Sequence, residues 1–175
     1  EGPALALVTA LGLLVAGGAA DDMHDIPARS KFFLQLVAAL FMTSWAGVQV
    51  TLLGDLLGFG PMGLRGWGIP FSVVCALGVI NAINMLDGVD GAAGGVALVA
   101  ALWLAWAAAA QGLGAQCVLL LLLTGSIAGF LAWNLRIPGR AQAAVFMGDA
   151  GSMMLGLTLC WFSIDLTQGE GRSLP

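Results

Sequence analysis

The stretch IPFSVVCALGVINAINMLDGVDG, residues 69–91, decides the fold. It runs from Ile69 to Leu86 without a charge and then breaks at Asp87-Gly88-Val89-Asp90. A spanning helix needs about 20 apolar residues, each rising ~1.5 Å, to cover a hydrocarbon core of about 30 Å. The run therefore reads as a membrane helix with an acidic cluster at its exit. Carboxylates are costly at membrane depth, so their position at the end of the run needs a reason. Two more clusters repeat the arrangement: Asp21-Asp22-Met23-His24-Asp25 closes an earlier apolar run, and Gly148-Asp149-Ala150-Gly151 opens a later one.

Composition agrees. The 175 residues are 59% hydrophobic and 9% charged, with a mean hydropathy of +0.96. A soluble domain carries about 25% charged residues, so this is an integral membrane protein. The net charge of −4 is spread without charge runs, which removes any reason to expect a nucleic-acid partner. Cys75, Cys117 and Cys160 stand alone in apolar runs and read as small buried hydrophobes rather than a disulfide or metal framework. The chain opens on Glu1-Gly2-Pro3, lacks the basic start of a cleavable signal peptide and stops at Ser173-Leu174-Pro175. It is expected to be an internal fragment of a longer polypeptide.

The fold class expected is all-α: a polytopic transmembrane helix bundle of about six spans in a single membrane domain covering 1–175. The spans fall at about 4–20, 32–47, 69–86, 92–110, 117–135 and 151–165. Gly54, Gly58, Gly60, Pro61, Gly63 and Gly66 interrupt the stretch between the second and third spans. Val48 to Leu52 alternates as a strand would, so a short extracytoplasmic β-hairpin is expected there. Gln111-Gly112-Leu113-Gly114 is a tight reversal between antiparallel helices.

Counting crossings puts the three acidic clusters on one side of the membrane, in loops 21–31, 87–91 and 136–150. Arg29, Lys31, Arg136 and Arg140 fall on that side and Arg65 and Arg172 opposite, which marks the aspartate side as cytoplasmic. Gly91-xxx-Gly95 and Gly125-xxx-Gly129 fit close helix packing. Trp67 and Trp133, near span ends, suit interfacial belts, and Trp103, Trp106 and Trp161 suit packing or lipid contact.

Aspartates gathered beside basic residues suit a hard divalent cation and a phosphorylated ligand. Mg²⁺ takes one or two protein carboxylates and completes its shell with phosphate oxygens and water. Asp149 is followed by Gly151, Ser152 and a helix start, an arrangement suited to metal and phosphate; an ordinary helix cap by Asp149 or Ser152 explains the same residues. Asn81, Asn84 and Asp87 share one helical face; Asn81 suits interhelical hydrogen bonding, whereas Asn84 sits next to the acidic turn. Adjacent Asp21 and Asp22 repel unless a cation is near, which makes one a plausible proton acceptor; a solvated turn is the plain alternative. His24 reads as a surface turn residue.

Asp21 to Asp25, Asn81 to Gly91 (NAINMLDGVDG) and Val145 to Ser152 (VFMGDAGS) resemble, in order, the motifs of the polyprenyl-phosphate N-acetylhexosamine-1-phosphate transferases. Asn84-Met85-Leu86-Asp87, Gly148 to Gly151 and Thr167-Gln168-Gly169 look more like the bacterial WecA branch than the related MraY branch. The resemblance implies a bacterial inner-membrane enzyme that starts a lipid-linked cell-surface glycan. In that reaction undecaprenyl phosphate attacks the β-phosphorus of UDP-N-acetylglucosamine and UMP leaves. It also implies Mg²⁺, with Mn²⁺ as a substitute, and leaves a homodimer open. Asp21, Asp22, Asp87 and Asp90 are then the candidate catalytic carboxylates. Asn84, Asp87, Gly151 and Ser152 are the candidate substrate contacts, and Asp149 with Asn84 the candidate metal ligands. The family pattern also has membrane segments before the Asp-Asp cluster and a His-rich motif after the last span. Neither lies in these 175 residues, so the polypeptide alone is expected to be inactive.

Other readings are an MraY-like transferase of phospho-MurNAc-pentapeptide, a transferase for another UDP-N-acetylhexosamine, and a cation-coupled transporter. A transporter would place its acids near the midplane on broken helices, whereas here they sit at span ends.

Overall fold

A computed structural model describes residues 2–55, 58, 60–136, 138–139 and 141–168. Six α-helices account for most of them: α1 (Gly2–His24), α2 (Ala28–Leu40), α3 (Gly68–Leu86), α4 (Ala92–Ala110), α5 (Gly114–Asn134) and α6 (Gly148–Gln168). Long Ala-, Leu- and Val-rich runs become helices because only intrasegment hydrogen bonds satisfy a backbone surrounded by hydrocarbon.

Among the described residues, five helices are by themselves long and apolar enough to cross a membrane: α1, α3, α4, α5 and α6. The second expected span instead divides into α2, of thirteen residues, and a π turn over Phe41–Trp45. Arg29, Ser30, Lys31 and Gln35 lower the hydropathy of its first half. Thr43 Oγ1 bonds back to Ala39 O at 3.0 Å, the kind of contact that loosens a helix locally. The π turn closes with Ala46 N donating to Phe41 O at 3.0 Å. The combined α2–π segment nonetheless runs the length of the bundle: Lys31 lies at the aspartate end, and the chain after Trp45 meets the start of α3, where Val50 N donates to Ser72 Oγ at 2.7 Å.

The possible β-hairpin is not shown as a pair of strands. Among the described residues there is no strand, only one antiparallel bridge between Leu52 and Gly63. Three backbone donors of this segment are taken by helices instead. Ser72 takes the Val50 N–H. Gln168, at the far end of α6, accepts from Thr51 N at 2.8 Å and from Leu52 N at 3.0 Å and returns its amide to Leu52 O at 3.1 Å. Leu53 N still donates to Met62 O at 2.9 Å, Met62 N to Gly54 O at 3.0 Å and Leu64 N to Thr51 O at 2.8 Å, so the two segments pair locally without extending into strands.

α6 is the centre of the bundle. It packs against α1, α3 and α4; α2 lies between α1 and α3, and α5 lies outside on α4. Two glycines set its position. A Cβ on Gly18 of α1 would collide with the backbone of Ala150, and one on Gly156 would stand 2.5 Å from Ile80 Cα on α3. Without a hydrophobic drive between helices in lipid, such close approach is what holds the bundle together. The glycine pairs expected from spacing do not do this: Gly95, Gly125 and Gly129 face open space, and Gly91 instead takes a left-handed conformation (φ 80°) to start α4. Trp161 is buried, whereas Trp67, Trp103, Trp106 and Trp133 are exposed.

Candidate active site

The close approach at Gly18 brings the end of α1 onto the start of α6, and the site is built there. Gly148 begins α6 with φ +70°, and a Cβ on it would lie 2.7 Å from Asp22 Oδ2. A helix start leaves its first N–H groups without partners, and here carboxylates from two other segments supply them. Asp87 Oδ2 accepts from Gly148 N at 3.1 Å, and Asp22 Oδ1 accepts from Asp149 N at 3.1 Å. Neither Asp149 nor Ser152 caps its own helix.

Three carboxylates then converge. Asp21, Asp22 and Asp149 each offer an oxygen, and these atoms all lie within 4.8 Å of one another. Asp21 is buried, Asp149 half-buried and Asp22 exposed. Lys31, near the start of α2, bridges two of them: Nζ is 2.8 Å from Asp21 Oδ2 and 2.9 Å from Asp149 Oδ2. The other oxygen of Asp21 accepts from Ile26 N at 2.7 Å, which ties the turn after α1 to the site.

α3 contributes Asn84, whose Nδ2 donates to Asp149 Oδ1 and to Ser152 Oγ, both at 2.9 Å. Ser152 is fully buried, so its hydroxyl faces Asn84 rather than an open site. Gly151 lies against Met147, whose Cγ would be 2.6 Å from a Cβ there. One turn deeper, Asn81 Nδ2 donates to Gln35 Oε1 at 2.7 Å and joins α3 to α2.

Asp90 lies apart from the three converging carboxylates. Its Oδ2 accepts from Arg136 Nε at 2.7 Å and from Ala143 N at 3.3 Å. Buried Asn134 works beside it, accepting from Gly91 N at 2.7 Å and donating to Val145 O at 2.9 Å. Together they staple the α3–α4 turn to the segment leading into Gly148. Asp90, Arg136, Ala143 and Val145 border an open cavity of about 400 Å³ that also includes Gln142 and Phe146.

The electrostatics follow from this crowding. Arg136 holds the Asp90 carboxyl below its ordinary range. Burial pushes Asp87 up, with the charges of Asp149 and Asp22 adding to it, although the Gly148 N–H pulls the other way. A carboxyl raised in the folded state opposes folding above its unfolded pKa of about 3.9, and that opposition fades as pH falls through the folded value. Asp87→Asn should therefore melt no lower than wild type at pH 8, and the gap should close as the pH is lowered. Thermal melts across pH check this, and a lower melting temperature for the variant at pH 8 contradicts it.

The site carries excess negative charge. Asp21, Asp22, Asp87 and Asp149 are offset by one ammonium and a helix N-terminus worth roughly half a charge. An all-oxygen donor set with surplus charge fits a hard cation such as Mg²⁺.

With this geometry in view, a family model described as glycosyl transferase family 4 matches residues 4–167. The chain belongs to glycosyl transferase family 4. It is 34% identical over 163 residues to the undecaprenyl-phosphate alpha-N-acetylglucosaminyl 1-phosphate transferase of Yersinia pestis, covering 93% of this chain and 44% of the relative. The protein of the same name from Haemophilus influenzae is 33% identical over 162 residues, covering 93% and 46%. That from Escherichia coli K12 is 31% identical over 159 residues, covering 91% and 43%. The chain thus spans less than half the length of these curated relatives.

Within this family-4 chain, sequence reasoning singled out the converging aspartates and Asn84 but missed three supports. Lys31 entered only as a charge for topology. Asn134, a polar residue at the end of an apolar run, carried a signal of the same kind as Asn84. Gly18 carried none, because nothing local distinguishes it from Gly17.

Proposed function

We propose that the full-length protein transfers N-acetylglucosamine-1-phosphate from UDP-N-acetylglucosamine to undecaprenyl phosphate on the cytoplasmic face of a bacterial inner membrane. The observation that carries the reading is the convergence of Asp21, Asp22 and Asp149, from the first and last helices, with Asn84 and Asp87 of α3 at one end of the bundle. The names of the relatives supply the substrates. Arg29, Lys31 and Arg136 at the aspartate end, against Arg65 before α3, support the cytoplasmic orientation; Arg140 and Arg172 lie outside the described residues.

In the reaction, an oxygen of the lipid phosphate attacks the β-phosphorus, the bond from that phosphorus to the bridging oxygen breaks, and UMP departs with the oxygen. Asp149 and Asn84 would hold Mg²⁺, which when bound neutralises charge on the diphosphate. Asp22, exposed at the mouth, is placed to orient the acceptor and take its residual proton. A phosphate monoester with a second pKa of about 6 is already mostly dianionic at neutral pH, so orientation is the larger part of its work. Asp21, held by Lys31 and Ile26 N, fixes the pair. Asp87 holds the α6 N-terminus in place. Asp90 acts through the loop it staples to Arg136.

The test is release of UMP by full-length protein in membranes supplied with UDP-N-acetylglucosamine, undecaprenyl phosphate and Mg²⁺. Turnover should stop on chelation and return with Mg²⁺ or Mn²⁺; transfer that survives chelation sinks the metal assignment. The 175 residues alone should turn over far more slowly, since they span less than half of each relative. Comparable rates from the purified chain would overturn that part.

A further inference from the structure

We infer that Lys31 is a displaceable counter-ion: it competes with a divalent ion for Asp149 and must leave that carboxylate when the ion binds. The inference rests on the metal reading above and gives Lys31 a role toward the ion that the reading does not assign. Three observations carry it. Lys31 Nζ sits on Asp149 Oδ2 at 2.9 Å, the carboxylate proposed to take the ion. It is simultaneously 2.8 Å from Asp21 Oδ2, so it keeps an anchor after releasing Asp149. Asp21 itself is held by Ile26 N and does not need to follow.

The chemistry of lysine suits this. Its ammonium is a point charge on a flexible four-carbon stem, and the side chain is 30% exposed, which leaves room to swing. A divalent cation on Asp149 would repel an ammonium on the same carboxylate. Cation binding and the Lys31–Asp149 contact therefore oppose each other, and by linkage each weakens the other equally. In the metal-free protein, Lys31 prevents Asp21 and Asp149 from driving α1 and α6 apart. Once the ion is present, that role passes to the ion.

The prediction has an unusual sign. Neutralising Lys31 should tighten cation binding, whereas loss of a merely structural residue would weaken it. Full-length protein without substrates is titrated with Mn²⁺ and the free-ion EPR signal followed. Lys31→Met and Lys31→Gln should bind Mn²⁺ at least about fivefold more tightly than wild type. Both should melt lower without the ion and gain more from it. Equal or weaker Mn²⁺ binding in both variants overturns the inference. Failure of both to fold with saturating Mn²⁺ also overturns it, because the ion should replace the missing charge. Asp149→Asn separates the two ideas: if it retains wild-type Mn²⁺ affinity, the metal reading itself is wrong and the counter-ion role falls with it.

Discussion

Asp149→Asn in the full-length protein should reduce UMP release by roughly 10³-fold or more while leaving the bundle folded. Removing the charge takes away a proposed cation ligand, and metal stabilisation of developing charge is worth several kcal/mol, each ~1.4 kcal/mol being tenfold in rate. The fold should survive because the amide retains one oxygen for Lys31 or Asn84, whose contacts are 2.9 Å each. Substitution also lowers the net negative charge of a crowded site, which should raise rather than lower stability. The measurement is turnover in membranes alongside a thermal melt in detergent. Near-normal turnover with a normal melt would remove Asp149 from the reaction and leave only a structural role at the helix start. By contrast, Asp90→Asn should reduce turnover much less, because Asp90 touches Arg136 and Ala143 N rather than the converging carboxylates.

Gly18→Val should damage stability and activity together, although residue 18 carries no chemistry. A Cβ there would overlap the Ala150 backbone and come within 2.9 Å of the Asp149 carbonyl carbon. Backbone cannot rotate aside as a side chain can, so α1 and α6 must separate. Overpacking of this kind commonly costs about 1–3 kcal/mol, and the displacement falls directly on the Asp22–Asp149 contact of 3.1 Å. Activity should fall further than the melt alone implies, since phosphoryl transfer depends on positioning and a misplacement of about 1 Å can cost roughly 100-fold. Gly125→Val is the internal control: nothing among the described residues lies within 4 Å of its Cβ position, so the α1–α6 contact and the site should be left as they are. If Gly18→Val melts and turns over like wild type, the α1–α6 contact does not organise the site.

These two substitutions mark the boundary between what could be read early and what could not. Asp149 announces itself: a carboxylate between glycines at the start of an apolar run has few reasons to be there. Gly18 is one of 26 glycines, and spacing favoured Gly125 and Gly129 instead. A helix-contact pattern tells which residues could allow close approach; it does not tell which of them meets a partner. The possible hairpin marks the same boundary: alternation over Val48 to Leu52 describes side chains, whereas Ser72 and Gln168 took the Val50 and Thr51 donors and one antiparallel bridge, Leu52 to Gly63, joins the two segments.

The amino-acid sequence alone determined the helical membrane class and the acidic clusters at helix ends, because hydropathy and charge are local properties tied to the cost of burying them in lipid. Tertiary structure decided which carboxylates meet and which do not. Asp21, Asp22 and Asp149 share one site and Asp90 another partner because α6 is gripped between α1 and α3 at Gly18 and Gly156. It also decided that Lys31, which sequence treated as a topological charge, stands between two of those carboxylates. The Asp22–Asp149 and Lys31–Asp149 contacts join segments over a hundred residues apart, and no local rule of hydropathy or spacing encodes them.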